Sequence, residues 1–154
     1  MTTKEIDVLL VGGGVMSATL GTLLNKLDPT LQLTMVERLD LVAHESTDGW
    51  NNAGTGHAGY CELNYTPRNA DGDVEVERAL AINANFEMSL QLWSALIDSG
   101  DLPAPENFIN TTPHISFVWG EDNVDFLRKR WEKLSAHHLF QGMEYSEDHA
   151  VLRQ

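Results

Sequence analysis

An apolar run opens the sequence, Ile6 to Val11, broken only by Asp7. Placed directly ahead of three glycines, it reads as a short buried strand. Met16, Leu20, Leu23, Leu24 and Leu27 then recur at helical spacing, and Asp28-Pro29 stops the helix. Leu31 to Val36 alternates as a second strand and ends at Glu37. Strand, helix, strand predicts a parallel pair joined by a right-handed crossover. A stretch with no period follows, Ser46 to Pro67, "STDGWNNAGTGHAGYCELNYTP". Next, a helix is predicted from Val74 to Ser99, with Ala79, Ile82, Phe86, Leu90, Trp93 and Ile97 on its buried face and Gly100 ending it. Ile115, Phe117 and Trp119 alternate, which predicts a strand over His114–Trp119. Asp122 is placed to cap a last helix in which Val124, Leu127, Trp131 and Leu134 share a face. Arg128, Lys129, Arg130 and Lys133 surround that stripe and read as a solvated surface rather than a phosphate site.

Composition narrows the function classes. The 154 residues suffice for one ordinary domain with a core. A formal net charge of -13, from 23 acidic and 10 basic side chains, disfavours nucleic acid as a partner, because phosphate binding needs a basic footprint. It equally disfavours purely electrostatic docking on an anionic membrane. No apolar run approaches the ~20 residues of a transmembrane helix. Glu5 and Asp7 interrupt the start, so it does not read as a signal peptide. A single cysteine excludes an internal disulfide framework and suggests a reducing, cytoplasmic compartment. The sequons at Asn64 and Asn110 carry no weight without a secretory signal.

The glycines sit where a dinucleotide fingerprint requires them, between a strand and a helix. Gly12 permits the tight turn and Gly14 lets backbone approach a pyrophosphate. The helix N-terminus offers free N–H groups and a positive dipole end. The third fingerprint position is Ser17, small enough for helix to pack on strand. Glu37 is placed to accept hydrogen bonds from both hydroxyls of a ribose and to repel a 2′-phosphate. The alternative is a glycine turn with no ligand. Spacing alone does not separate NAD from FAD. A simple NAD domain would continue after Glu37 into another helix and a third strand, whereas an aperiodic Gly/Asn/Ser/Thr segment suits a backbone wrapped around a longer cofactor. FAD is therefore expected, and a mobile surface loop is the competing reading of the segment.

The stretches "GGGVMSATLGTLL", "ERLD", "ESTDGWNNAGTGHAGYCELNYTP", "FIN", "PHISFVWGEDNVDFLRKR" and "LFQGMEYSED" together resemble the N-terminal part of the malate:quinone oxidoreductase family. The resemblance implies a Rossmann-like α/β domain of the glutathione-reductase-like flavoprotein class, incomplete in this chain. It implies residues 1–67 as the start of the FAD-binding domain and 68–154 as the start of the remaining FAD and substrate region. It implies oxidation of (S)-malate to oxaloacetate, transfer of electrons to a membrane quinone, peripheral association with the inner face of the cytoplasmic membrane, and a role in the tricarboxylic acid cycle. The residues implied to line FAD are Gly12, Gly13, Gly14, Met16, Ser17, Glu37 and Arg38, with Ser46, Asn51, Asn52, Ala53, Gly54 and Thr55. Family chains are far longer, so the chain is expected to be a fragment, inactive alone.

Malate oxidation needs a base for the hydroxyl proton while hydride leaves C2. His57, just after the glycine segment, is the candidate base, against a structural role fixing the loop. His114 reads as structural, and His137 and His138 as helix-end residues. Cys61 is a lone thiol, and no His/Cys/Asp cluster has metal spacing. Arginines suit malate's two carboxylates, but Arg38, Arg68, Arg78, Arg128, Arg130 and Arg153 include none that the pattern singles out. Two alternatives stand beside this reading: another FAD-dependent 2-hydroxy- or amino-acid dehydrogenase, or a nucleotide-binding module without turnover.

Overall fold

A computed structural model describes residues 5–152. The chain packs as two units, up to Thr55 and from Gly56. This division falls earlier than Pro67, because residues 57–66 pack with later helices. Tyr60 Oη donates to Leu139 O at 2.8 Å, and Thr66 Oγ1 accepts from Arg130 Nε at 2.9 Å.

In the first unit, strand β1 (Val8–Val11) lies parallel to strand β2 (Leu33–Val36), with Val8 opposite Leu33 and Val11 opposite Val36. Helix α1 (Val15–Leu27) connects them. Asp28 is its C-cap in extended backbone, the conformation forced on a residue before proline. The predicted parallel pair is present, but the strands are not buried throughout. Leu10 is buried, while Leu9 and Val11 are exposed. Gly21 packs tightly against the strand: a Cβ on Gly21 would stand 2.9 Å from Leu10 Cδ1.

In the second unit, helix α2 (Glu77–Asp98) starts three residues later than its apolar pattern suggests, after a short bridge between Arg68 and Val74. Gly100 ends it as expected. Its φ is +79°, its N–H bonds Ile97 O at 2.9 Å, and Asp101 N–H bonds Leu96 O at 2.8 Å, a Schellman closure. Helix α3 (Glu121–Ser135) is capped by Gly120 backbone, and Asp122 lies in its first turn rather than at the cap. Glu121 and Asp122 there still complement the positive end of the helix.

The strand predicted over His114–Trp119 does not form. Alternation marks which side chains share a face, but a ladder also needs a partner edge, and this segment bonds to none among the described residues. Val74, Val76, Ala79, Leu134 and Phe140 form the core, with Tyr60, Tyr65, Leu80, Phe126, Leu139 and Met143 packed on it. The basic cluster of α3 is not a solvated surface throughout. Arg130 is 2% exposed, Lys133 Nζ pairs with Asp73 at 2.5 Å, and Lys129 pairs with Asp125 at 3.0 Å. Among the described residues no helix is long and apolar enough to cross a membrane.

Candidate functional site

The glycine turn between β1 and α1 forms one wall of a cleft of about 230 Å³. Val11 to Ser17, Glu37 and the strap Ala43–Thr47 line it. Gly12 has φ +96° and donates to Val36 O at 2.8 Å, so the turn is tied to the end of β2. This is the left-handed conformation glycine adopts without a Cβ penalty. The strap is tied to the turn by Ala43 N–H, which donates to Gly13 O at 2.9 Å. Ala43 itself has φ +63°, uncommon for a residue with a Cβ.

Glu37 joins these parts. Its Oε2 accepts from Gly13 N–H at 2.6 Å and its Oε1 from Leu39 N–H at 2.9 Å. The Leu39 N–H first, and the Gly13 N–H second, hold its carboxyl below the usual carboxylate range. The group is ionised at neutral pH and accepts only. Each oxygen has spent one lone pair on backbone, so each retains one for a donor in the cleft. Thr47 is the residue that sequence reasoning missed. Its Oγ1 accepts from Val15 N–H at 3.1 Å and caps α1 from 32 positions away. Nothing in periodicity marks such a long-range cap, although Thr47 adjoins the predicted Ser46.

Gly12, Gly13, Gly14, Met16, Ser17, Glu37 and Ser46 therefore meet at one cleft. Arg38, Asn51, Asn52, Ala53, Gly54 and Thr55 do not line it. Arg38 pairs with Glu45 at 2.9 Å on the surface. Asn51 Nδ2 donates to Glu45 O at 2.9 Å and Asn52 Nδ2 to Ser46 O at 3.1 Å, so both asparagines brace the strap from behind.

His57 belongs to the second unit. It opens a turn closed by Tyr60 N–H to His57 O at 2.8 Å, with Ala58 and Gly59 at positive φ, as in a type I′ turn. Its Nδ1 accepts from Gly59 N–H at 3.3 Å, and its ring lies 5.7 Å from that of Tyr65. Nδ1 is engaged in the turn, so a base role at this ring would fall to Nε2. Asn83, buried on α2, holds the same turn through Nδ2 to Ala58 O at 2.9 Å. Cys61 lies with its Sγ 3.3 Å from His114 Nδ1. His137 and His138 are exposed at the end of α3. Each described arginine is engaged within its own unit. Arg68 pairs with Asp125 at 3.7 Å, Arg78 stacks 5.0 Å over Tyr65, Arg128 reaches Asp125 and Glu147, and Arg130 is buried. Arg153 lies outside the described residues.

A glycine turn opening a helix between two parallel strands, with an acid closing the second strand, is consistent with part of a nucleotide-binding α/β fold. A model of the malate:quinone oxidoreductase family matches residues 4–154, and the chain belongs to that family. It is similar to a protein of Hahella chejuensis named "Probable malate:quinone oxidoreductase", with 69% identity over 153 residues, 99% of this chain and 31% of the relative. A protein of the same name from Methylobacillus flagellatus is 67% identical over 150 residues, 97% of this chain and 30% of the relative. The chain thus spans just under a third of the length of these relatives.

Proposed function

We propose that these residues carry the nucleotide end of an FAD site in a protein that oxidises (S)-malate to oxaloacetate and passes the electrons to a quinone. The observation that carries this reading is the donor set of the cleft. Two backbone N–H groups, that of Gly13 in the glycine turn and that of Val15 at the start of α1, hold the Glu37 carboxylate and the Thr47 hydroxyl oxygen. Groups that bind these oxygens have the chemistry to bind phosphate oxygens. That same carboxylate, Glu37, keeps a further lone pair on each oxygen, as two ribose hydroxyls require. The cleft, about 230 Å³, lies at the glycine turn where the pyrophosphate and ribose of a dinucleotide would sit. The residues present fit that part of FAD.

FAD, when bound, supplies the hydride acceptor and the relay of electrons to quinone. The chain's own residues have narrower tasks. Gly12 and Gly14 keep the turn open, Glu37 orients a ribose, Thr47 presents its hydroxyl at the helix start, and Ser46 lines the cleft. Asn51 and Asn52 hold the strap. His57 is the candidate to take the malate hydroxyl proton, through Nε2. In this reading the protein works in the tricarboxylic acid cycle, peripherally at the inner face of the cytoplasmic membrane, where its quinone resides.

The test is made on the full-length protein. Bound nucleotide is released by denaturation and identified, and (S)-malate oxidation is followed with a soluble quinone against a panel of 2-hydroxy and amino acids. FAD with a malate preference supports the proposal. NAD without flavin overturns the cofactor. FAD with a different substrate preference points to another dehydrogenase, and FAD without turnover to a binding module.

A further inference from the structure

We propose that Asn83 is a positioning residue for His57, a role that rests on the proposed base function of that histidine: from α2 it holds the 57–60 turn and so sets where the imidazole stands when it takes the malate proton. Asn83 is 2% exposed and lies in the middle of α2. Ala79, Asn83 and Phe86 share one helix face by their spacing. That face carries the segment 56–60. A Cβ on Gly59 would stand 2.7 Å from Ala79 O, and one on Gly56 would run into the Phe86 ring. Packing alone therefore asks for an apolar side chain at position 83.

Asparagine is a poor residue for that place on stability grounds. It is a weak helix former, and a buried amide is costly unless its hydrogen bonds are made. Only one end makes them. Nδ2 donates to Ala58 O at 2.9 Å, while Oδ1 is buried without a hydrogen-bond partner among the described residues. Exchanging the two ends does not help, because Ala58 O accepts only and needs the NH2 group. An orphaned acceptor is thus tolerated for the sake of one bond to the turn.

That bond holds strained backbone. Ala58 has φ +48°, a left-handed conformation uncommon for a residue with a Cβ. Strain of this kind clusters where geometry matters to function. His57 precedes Ala58, and its ring is tied into the same turn, with Nδ1 accepting from Gly59 N–H at 3.3 Å. The imidazole therefore moves with the turn. The far end of the turn is fixed at Tyr60, by Arg130 Nη2 donating to Tyr60 O at 2.8 Å and by Tyr60 Oη donating to Leu139 O at 2.8 Å. Asn83 fixes the end that carries the histidine. It touches neither malate nor flavin in this role.

The test uses the full-length, flavin-loaded protein. Turnover of (S)-malate with a soluble quinone is compared in the unaltered protein, Asn83→Leu, His57→Gln and the double variant. Asn83→Leu should keep its flavin and lower kcat and kcat/KM together by about 100-fold, the cost of misplacing a group by about 1 Å. The double variant should be no slower than His57→Gln, because losses through one group do not add. In Asn83→Leu, amide hydrogen exchange should also quicken at Gly59 and Tyr60. Full activity in Asn83→Leu, unchanged exchange, or a double variant slower than His57→Gln by the full Asn83→Leu factor overturns the positioning role and leaves His57 standing. Unchanged turnover in His57→Gln overturns the base role, and the positioning role with it. Should Asn83→Leu fail to fold, Asn83→Asp decides. Its carboxyl donates to Ala58 O when protonated and not when ionised, and burial raises its pKa. Its kcat relative to that of the unaltered protein should climb as the pH falls below neutrality, and a ratio independent of pH overturns the proposal.

Discussion

At the scale of single residues, the cleft rests on atoms that are absent as much as on those present. A Cβ on Gly14 would stand 3.1 Å from Thr47 Oγ1, so a larger side chain fills the mouth of the cleft and displaces the cap. In the full-length protein Gly14→Val should therefore abolish flavin retention while circular dichroism stays unchanged. Normal flavin absorbance in the folded variant would remove Gly14 from the site. Glu37→Ala deletes the acceptor shared by Gly13 and Leu39 as well as the proposed ribose contacts. It should weaken FAD binding, because hydrogen bonds to a charged group are among the stronger ones. Titration of the stripped protein with FAD measures this, and an unchanged Kd would count against Glu37. Gly12, Gly14 and Glu37 were legible in the sequence because a turn, a close approach and a strand end each demand a residue type. Thr47 and Ala43 were not. Their roles arise from a strap folding back over the turn, and no local rule encodes a contact of that range.

At the scale of elements, the helices were legible and the connections between them only partly so. Apolar spacing located α1, α2 and α3 because each needs only its own backbone to form. The same signal failed over His114–Trp119, where the missing ingredient is a neighbouring edge. It also gave no hint that Arg130 turns inward, since composition marks a basic cluster but not which member a facing carbonyl captures. Gly59 shows how the 57–60 turn seats on α2. A Cβ there would come 2.7 Å from Ala79 O, at a φ of +79°. Gly72, at φ +78°, faces open space. Gly59→Ala and Gly72→Ala should each cost the left-handed penalty of roughly 1–2 kcal/mol. Gly59→Ala should lower the urea midpoint further, because backbone must move. Equal shifts would show that the turn is not wedged against α2. The ion pairs give a pH dependence of definite sign. Hydrogen bonding from Lys133 and then from Val74 N–H lowers the Asp73 carboxyl below its usual 3.8, and Lys129 lowers Asp125 likewise. Their stabilisation is present above the unfolded value of 3.8 and is lost as pH falls through the lower folded values. Unfolding midpoints of the unaltered protein and of Asp73→Asn should thus converge as the pH falls well below 3.8 and stay apart at neutrality. A constant gap across that range would contradict this.

At the scale of the whole molecule, the 154 residues are predicted not to oxidise malate by themselves. The first unit supplies two strands, and a two-stranded sheet is marginal without further strands or helix cover. Its apolar side chains are correspondingly open: Val11 is 78% exposed, Met16 80% and Leu27 82%. In the second unit Ile115, Phe117 and Trp119 are 80%, 74% and 77% exposed, with the two aromatic rings stacked on each other rather than under cover. Contiguous apolar surface of this kind favours association, and the relatives are about three times as long as the chain. Every described arginine is already engaged, so none stands ready to clamp two carboxylates. The assay combines purified chain, added FAD, (S)-malate and a soluble quinone or dye, with sedimentation run in parallel. Concentration-dependent association without turnover is the expected outcome. Turnover comparable to that of a full-length family member would place both the substrate clamp and a complete flavin pocket within these residues, and would require arginines now seen in ion pairs to be released when malate binds.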